Sequence, residues 1–425
     1  MSPPFSISNG SNNILSRDRI GSSRKFFLTD CLVVLFLGCI SRITIFPDSN
    51  MPAWLIMDLV VILMIVKNSQ KFITVSKDNL LLISWPLLAI VSSLWSLNPG
   101  VSFYHGIQFG LNLVCGFVIA VHLGLMRLVL ILRLFGLVFT SISLFYDVLY
   151  PSLTRDIAGF FKGVYLHKNE VGMFSSLQLI VCLILFLQGS NRFLSIIGIT
   201  LACVTLFKSG SGTSLLVSVL IMISIPFLLS LRRGTFPASQ ILGFFLTSVA
   251  SLILLLTVER INPVDYVLLA LGKDAGLTGR DLIWSIGIDA VTNRPLLGHG
   301  FLAYWASQES TASYLRYVLK QDLVSLHNVY LEVIVAFGIL GLVLFLASMI
   351  KLLFRTFLFF QNDKRIVSII PLIYVFWIAI IGLSENPIFW NSQLNFLLMA
   401  FAALTVQHRD EDSGYLVRGG PGAVS

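Results

Sequence analysis

Long apolar runs separated by short polar segments make up most of the chain. An α-helix needs about 20 consecutive apolar residues to cross the hydrocarbon core of a bilayer. Twelve runs are predicted to cross, at residues 26–46, 52–66, 79–97, 103–122, 125–149, 170–188, 192–207, 213–231, 238–258, 328–350, 366–385 and 389–407. Because backbone polar groups inside a bilayer must be paired within each segment, the pattern predicts an all-α polytopic membrane protein with about 12 transmembrane helices.

One long interruption divides these helices into two groups. Residues 259–327 form the only long segment between apolar runs that is too polar for a bilayer, so they predict a large loop on one face. The expected organisation is a disordered tail (1–25), nine helices (26–258), the large loop (259–327), three helices (328–407) and a second tail (408–425).

A helix is predicted inside the large loop. Thr278 and Asp281 have the spacing of a helix N-cap and its acidic partner, and Pro295 marks where the helix should stop. Arg280 then lies in the first turn, where its guanidinium joins free backbone N–H groups and the positive end of the helix dipole, which suits phosphate oxygens. Arg294 would lie roughly 21 Å further along, at about 1.5 Å per residue. The two arginines therefore cannot both bind one diphosphate directly, and Arg280, in the first turn, is the preferred ligand. Pairing with lipid headgroups or a loop carboxylate is the alternative for either arginine.

The composition excludes a soluble globule. With 56% hydrophobic residues, 12% charged residues and a mean hydropathy of +0.87, the surface of such a globule would have to be apolar. The net charge of +8 is explained by basic loops on one side of a membrane. No nucleic acid is expected as a partner, because the chain lacks a concentrated basic face.

The distribution of basic residues predicts the orientation. With the N-terminus in the cytoplasm, the inner segments and both tails hold eighteen lysines and arginines. The short outer loops hold only four, which are Arg155, Lys162, Lys168 and Lys208. The large loop is left out of the count, because long segments cross regardless of charge. Both termini are therefore predicted to be cytoplasmic, and the large loop is predicted to face outward.

A second polar stretch lies at the outer end of the sixth predicted span. His167, Lys168 and Asn169 stand together there, and such groups at a membrane boundary need solvent or a polar ligand. Lys208 lies at the outer end of the next span. If the spans pack side by side, Lys168, Lys208 and Arg280 could ring one anionic pocket. The alternative is that Lys168 only extends along the interface to reach water.

His327 is the candidate base. It closes the large loop, and an imidazole is the side chain best suited to exchange a proton near neutral pH. The alternative is that His327 is only an interfacial or capping residue. No metal site or cofactor is expected, because the five cysteines fall in apolar runs without metal-ligand spacing and no nucleotide-binding motif is present.

Three motifs resemble the bacterial O-antigen ligase and polysaccharide polymerase family, most closely its exopolysaccharide polymerase branch. They are the stretch 163–172 around His-Lys-Asn, the run 277–300 with Leu-Thr-Gly-Arg and Arg-Pro-Leu-Leu-Gly-x-Gly, and the His-Asn-x-Tyr-Leu-Glu that begins at His327. They occur in the same order and spacing, and together they cover about half of the chain.

The resemblance implies a helical, GT-C-like fold of the lipid-dependent glycosyltransferase type, with a periplasmic catalytic face in the cell inner membrane. It implies a metal-independent enzyme whose donor is an oligosaccharide on undecaprenyl diphosphate, embedded in membrane lipid. Residue by residue, Arg280 matches the arginine that grips the diphosphate, and His327 matches the histidine that activates the acceptor. A chain-length regulator and a flippase of the same pathway are the expected protein partners.

One departure from the family pattern concerns Gly212, where many relatives carry Arg or Lys. Lys208 or Lys168 could supply the missing charge, with Arg294, His167 and Asn169 as further substrate-binding candidates. The leading hypothesis is polymerisation of lipid-linked repeats into exopolysaccharide. The alternatives are an O-antigen ligase that transfers polymer to the lipid A core and, outside the enzymes, a polysaccharide transporter or flippase.

Overall fold

A computed structural model describes residues 69–156, 159–234, 280–319, 324–389 and 394–406, together with a few residues between 59 and 66. Regular structure in these ranges is helical, apart from one isolated bridge between Arg155 and Phe161. The helices are α1 (Ser69–Asp78), α2 (Leu80–Val91), α3 (Pro99–Leu149), α4 (Pro151–Thr154), α5 (Lys168–Leu187), α6 (Arg192–Ser209), α7 (Gly212–Arg232), α8 (Arg280–Asn293), α9 (Ala303–Ala306), α10 (Thr311–Leu319), α11 (Val329–Asn362), α12 (Ile369–Ile381) and α13 (Leu394–Val406).

Several of these helices are long and apolar enough to cross a membrane. Within the described residues they are α3, α5, α6, α7 and α11, and the pair α1 and α2, bent by 84°, would qualify as a sixth broken span. Helices α12 and α13 are apolar but shorter. The protein is therefore a multi-pass helical membrane protein, as predicted. The number twelve stays a prediction, because the predicted spans 26–46 and 238–258 and most of 52–66 lie outside the described residues.

Helix α3 contains two of the predicted spans. Its 51 residues are interrupted at Gly124, whose backbone (φ 70°, ψ 167°) is not helical. Such a conformation is open almost only to glycine, because a Cβ atom would collide with the backbone. The break falls between the predicted spans 103–122 and 125–149, so the sequence predicted both halves correctly.

Neighbouring helices alternate in direction, which gives the bundle two ends. At one end, called here the His327 end, Lys208 of α6 contacts Asp147 of α3, and Val329 of α11 contacts Gly382 after α12. At the opposite end, the guanidinium of Arg232 donates to the carbonyl of Asp363 (3.0 Å). The first half of α3 runs antiparallel to α2 and its second half antiparallel to α5, so the chain reverses at Gly124. This alternation agrees with the predicted order of crossings.

The centre of the bundle is formed by α5, α12 and α13. Every residue of Leu394–Val406 is buried, and a helix that is apolar on all sides is expected inside a large bundle. Small residues allow close packing around this centre, since a Cβ on Gly172 would lie 2.6 Å from that of Ser211, the residue before α7. Polar bonds join the same helices, including one between the hydroxyls of Ser218 and Ser176 (2.7 Å).

Three boundaries differ from the sequence prediction. The segment between the predicted spans 52–66 and 79–97, which was expected to be an inner loop, forms α1. The span expected at 79–97 is a shorter helix with a 3₁₀ turn at Ser92–Leu94. Helix α11 extends to Asn362, twelve residues beyond the predicted end of the span 328–350. Hydropathy locates the apolar core of a span well, but polar residues that continue a helix outside the bilayer carry no such signal.

A loop from the large polar segment closes a break in α11. The helix loses its regular geometry at Gly338 (φ 68°, ψ −166°), which leaves nearby backbone groups without helical partners. The carbonyls of Val335 and Ala336 accept hydrogen bonds from the backbone N–H groups of His299 and Gly300, each at 2.9 Å. The N–H of Ile339 donates to the carbonyl of Pro295 (2.8 Å). The Arg-Pro-Leu-Leu-Gly-x-Gly motif therefore has a structural role that fixes the loop on α11.

Candidate functional site

His327 occupies a strained position just before α11. Its φ of 51° lies in the left-handed region, where residues other than glycine are uncommon. Its backbone N–H donates to the hydroxyl of Ser325 (3.1 Å). The next residue, Asn328, caps α11 by accepting hydrogen bonds from the N–H groups of Tyr330 and Leu331, both at 3.0 Å. The cap starts the helix directly after His327 and so holds the imidazole at the rim of the bundle.

The start of α11 is tied to the end of α12. The N–H of Val329 donates to the carbonyl of Gly382 (2.8 Å), and the side-chain amide of Asn328 donates to the carbonyl of Leu383 (2.9 Å). The hydroxyl of Tyr330 donates to the carbonyl of Ala379 (2.7 Å). These bonds bring Glu385, which lies just after α12, beside His327.

Glu385 joins His327 to Asn169. Its Oε2 lies 3.2 Å from His327 Nδ1, and its Oε1 accepts a hydrogen bond from Asn169 Nδ2 at 2.6 Å. The Glu385 side chain is 8% exposed, whereas that of His327 is 36% exposed. An ionised carboxylate can only accept, so Nδ1 of the neutral imidazole carries the proton and Nε2 keeps a free lone pair. The arrangement leaves a half-exposed base whose tautomer is fixed by a buried carboxylate.

His167 lies in the electrostatic field of the same group. Its side chain is exposed, but surrounding protein atoms still desolvate it enough to lower its pKa, and electrostatic interaction with His327 and Lys162 lowers the pKa further. The carboxylates of Glu385 and Asp156 oppose this shift. His167 is therefore held in its neutral form, in which it can donate or accept a hydrogen bond.

A buried carboxylate organises the basic residues of this end. Asp147 Oδ2 lies 2.7 Å from the ammonium of Lys208, and Asp147 Oδ1 accepts from the hydroxyl of Thr154 at 2.8 Å. The Nε of Arg155 approaches the same Oδ1 at 3.5 Å. Lys208 is thus present at the predicted end of the bundle, and it is held by a carboxylate that the sequence did not indicate as its partner.

Lys168 lies close to this group. Its ammonium stands 3.6 Å from the centre of the Phe160 ring, and that of Lys208 stands 5.4 Å from the centre of the Phe161 ring. Phe160 also packs against Gly210, directly after α6. The structure therefore brings Lys168 and Lys208 to the same loop, as the side-by-side packing of their spans predicts. Because Asn169 follows Lys168, this loop adjoins the Glu385 and His327 pair.

Helix α8 confirms the helix predicted in the large loop. It begins at Arg280 and ends at Asn293, two residues before Pro295. One turn after Arg280, the indole of Trp284 donates to the carbonyl of Leu326 (2.9 Å), which is the residue before His327. The backbone of Arg280 therefore lies at the same end of the bundle as His327. Thr278 and the side chain of Arg280 lie outside the described residues.

Arg294 lies at the opposite end of α8. Its guanidinium donates to the carbonyl of Trp95 (3.1 Å), and the indole of Trp95 donates back to the carbonyl of Leu297 (2.8 Å). These bonds fix the loop that closes α11 to the segment between α2 and α3. As expected from the length of α8, Arg294 and Arg280 do not stand side by side.

Sequence reasoning missed the role of Glu385 and the pairing of Asp147. Both were visible only as ionisable residues near the ends of apolar spans, a signal that they share with Glu332. Glu332 has a structural task, since its carboxylate accepts from the indole of Trp305 (3.0 Å) and the N–H of Leu326 (3.1 Å). Within the described residues, no group of three His, Cys, Asp or Glu side chains is arranged to hold a metal ion.

The fold and this site define a class of protein: a multi-pass helical membrane protein with a histidine and carboxylate pair beside basic residues at one end. Residues 196–346 match the family described as O-Antigen ligase. The chain is also 28% identical over 301 residues to the exopolysaccharide production protein ExoQ of Rhizobium meliloti (strain 1021), an alignment that covers 67% of this chain and 65% of that relative. These matches confirm the resemblance to the O-antigen ligase and polysaccharide polymerase family.

Proposed function

We propose that this protein polymerises undecaprenyl-diphosphate-linked oligosaccharide repeats into exopolysaccharide at the periplasmic face of the inner membrane. The observation that carries the proposal is the pairing of His327 with the buried Glu385 beside Lys168 and Lys208 at one end of the bundle. A base next to cations is what glycosyl transfer from a lipid diphosphate requires. The family match and the similarity to an exopolysaccharide production protein support the same class of reaction.

His327 is the general base of the proposed reaction. The acceptor sugar hydroxyl attacks the anomeric carbon of the donor, and its proton passes to Nε2 of His327. The bond between the anomeric carbon and the diphosphate oxygen breaks as the new glycosidic bond forms. Glu385 stabilises the imidazolium that results, because its carboxylate already holds the proton on Nδ1.

Cationic groups stabilise the negative charge that develops on the leaving lipid diphosphate. We assign this role to Arg280, the first described residue of α8, and its guanidinium would act with the helix dipole on the diphosphate. Lys168 and Lys208 support it, and His167 and Asn169 contribute polar contacts near the acceptor. Arg294 has no such role in the proposal, because its guanidinium binds the carbonyl of Trp95 at the far end of α8.

Substitution of either proposed catalytic residue tests the mechanism. In cells that produce Arg280→Ala or His327→Ala, we expect the protein to insert normally while single lipid-linked repeats accumulate and long polymer disappears, because charge stabilisation or proton transfer is lost. Each is worth about a hundredfold or more in rate. Gel analysis of surface and lipid-linked glycans measures this. Arg316→Ala in α10 and His122→Ala in α3 are matched controls that should leave the polymer unchanged, and normal polymer in both site variants would reject the proposal.

A ligase is the second candidate, because the matching family is described as O-Antigen ligase. A ligase differs from a polymerase in its acceptor and not in its reaction. In a deletion strain, loss of long free polymer supports the polymerase, whereas normal free polymer with unmodified lipopolysaccharide supports the ligase. Elongation of a lipid-linked glycan by the purified protein in detergent separates both enzymes from a transporter or flippase, since a transporter forms no bond.

A further inference from the structure

The carboxylate of Asp147 is buried and fixes the side chains around it. It is contacted by more positive charge than its single negative charge can balance. Its side chain is 5% exposed, yet it is approached by the ammonium of Lys208, the Nε of Arg155 and the hydroxyl of Thr154. Two cations on a single carboxylate leave one positive charge in excess. Among the described residues, Asp156 forms no ion pair with either cation, and its Oδ1 accepts the backbone N–H of Phe160 (2.8 Å).

Both cations present further donors away from Asp147. The Lys208 side chain is 39% exposed and the Arg155 side chain 50% exposed, while the oxygens that hold them are buried. Arg155 contacts Asp147 through Nε, and its two terminal nitrogens have no partner among the described residues, so they remain for another ligand. A guanidinium and an ammonium held side by side match the several oxygens of a phosphate group better than those of a single carboxylate.

This pair lies next to the proposed catalytic group. The ring of Phe161 packs against the ammonium of Lys208, and the ring of the adjacent Phe160 packs against that of Lys168. Asn169, which follows Lys168, contacts Glu385. A phosphate bound by Arg155 and Lys208 would therefore lie along the same face of the bundle as His327.

We propose that Arg155 and Lys208, held in place by Asp147, bind a phosphate of the lipid diphosphate donor. This subsite rests on the proposed function and deepens it, because it names the residues that hold the leaving group in addition to Arg280. Asp147 is a positioning residue: it does not touch the ligand and acts by fixing the two cations. Bulk attraction between a basic surface and an anionic lipid is the competing explanation.

Binding of undecaprenyl diphosphate to the purified full-length protein in nanodiscs of uncharged lipid tests the proposal. We expect Arg155→Gln and Lys208→Gln each to weaken binding about tenfold or more, since each removes charge-assisted hydrogen bonds. Lys208→Arg should restore most of the affinity. Lys162→Gln removes a lysine of the same loop that has no contact with Asp147 among the described residues, so affinity should be unchanged in this control.

The Asp147→Asn variant separates positioning from bulk charge. It adds one net positive charge, so bulk attraction predicts tighter binding, whereas loss of the Asp147 carboxylate predicts weaker binding. Unchanged affinity in Arg155→Gln and Lys208→Gln overturns the proposal even if Asp147→Asn fails to fold. Equal competition by phosphatidylglycerol also overturns it, because the site would then be a general headgroup site. If the unmodified protein neither binds the lipid diphosphate nor elongates the glycan, the proposed function itself fails.

Discussion

At the scale of single residues, Glu385 determines what His327 can do. A lone histidine at the start of a membrane helix can be an interfacial residue, but one whose Nδ1 contacts a buried carboxylate has a fixed tautomer and orientation. Asn169 fixes the carboxylate in turn, through a hydrogen bond of 2.6 Å. The three side chains therefore form a chain of contacts that orients the imidazole and leaves it partly exposed.

The first prediction concerns this chain of contacts. In Glu385→Gln, the amide must present an N–H to His327 Nδ1 if its oxygen keeps the bond from Asn169, and this favours the wrong tautomer. We expect polymer formation by purified protein to fall about a hundredfold or more, while Glu309→Gln, an exposed carboxylate of the loop, has no effect. In a His327→Ala background, Glu385→Gln should cause no further loss. An additive loss would show that Glu385 acts independently of His327.

At the scale of elements, the break in α11 explains why two sequence motifs occur together. Gly338 allows the helix to open, and the 294–301 loop binds the backbone groups that the opening exposes. A Cβ on Gly338 would collide with the backbone of Leu296, and one on Gly298 would lie 2.6 Å from that of Phe337. The two glycines are therefore required by a close approach of two backbones, which in turn holds α8 and the loop against α11.

The second prediction compares two glycines that share a backbone conformation. Gly124 and Gly338 both lie in a region that is almost exclusive to glycine, so alanine at either position should cost about 1–3 kcal/mol of stability. Around Gly124 no non-neighbouring atom of the described residues lies within 4 Å of the added Cβ, whereas Gly338 faces the backbone of Leu296. We expect Gly338→Ala to be clearly more destabilising than Gly124→Ala in thermal unfolding of the purified protein. An equal loss would contradict the close-approach explanation.

At the scale of the whole molecule, the two ends of the bundle have different chemistry. At the His327 end, the buried carboxylates of Glu385 and Asp147 pair with His327 and Lys208, whereas arginines at the other end also bind backbone carbonyls near helix ends. There Arg355 donates to the carbonyls of Asp78 (3.2 Å) and Ala402 (2.9 Å), and Arg232 donates to that of Asp363. The count of basic residues predicts that this second end faces the cytoplasm.

The third prediction tests that orientation. Ser152 and Lys364 are both exposed, at the His327 end and the opposite end respectively. In spheroplasts, a membrane-impermeant maleimide should label a Ser152→Cys variant directly and a Lys364→Cys variant only after permeabilisation, because the reagent cannot cross the bilayer. The unmodified chain measures labelling of the native cysteines. The reverse pattern would place His327 in the cytoplasm and remove the periplasmic reaction from consideration.

The sequence by itself determined the apolar helices of the described residues, the two halves of α3, the helix Arg280–Asn293 and the position of His327 ahead of α11. Each of these depends on local properties, namely the hydropathy of a run or a pattern that starts and stops a helix. Only the tertiary structure decided that Glu385, 58 residues further along, is the partner of His327, and that Asp147 holds Lys208. Those pairings follow from which helix ends meet when the bundle packs, and an ionisable residue at the end of an apolar run does not reveal which other helix end it will face.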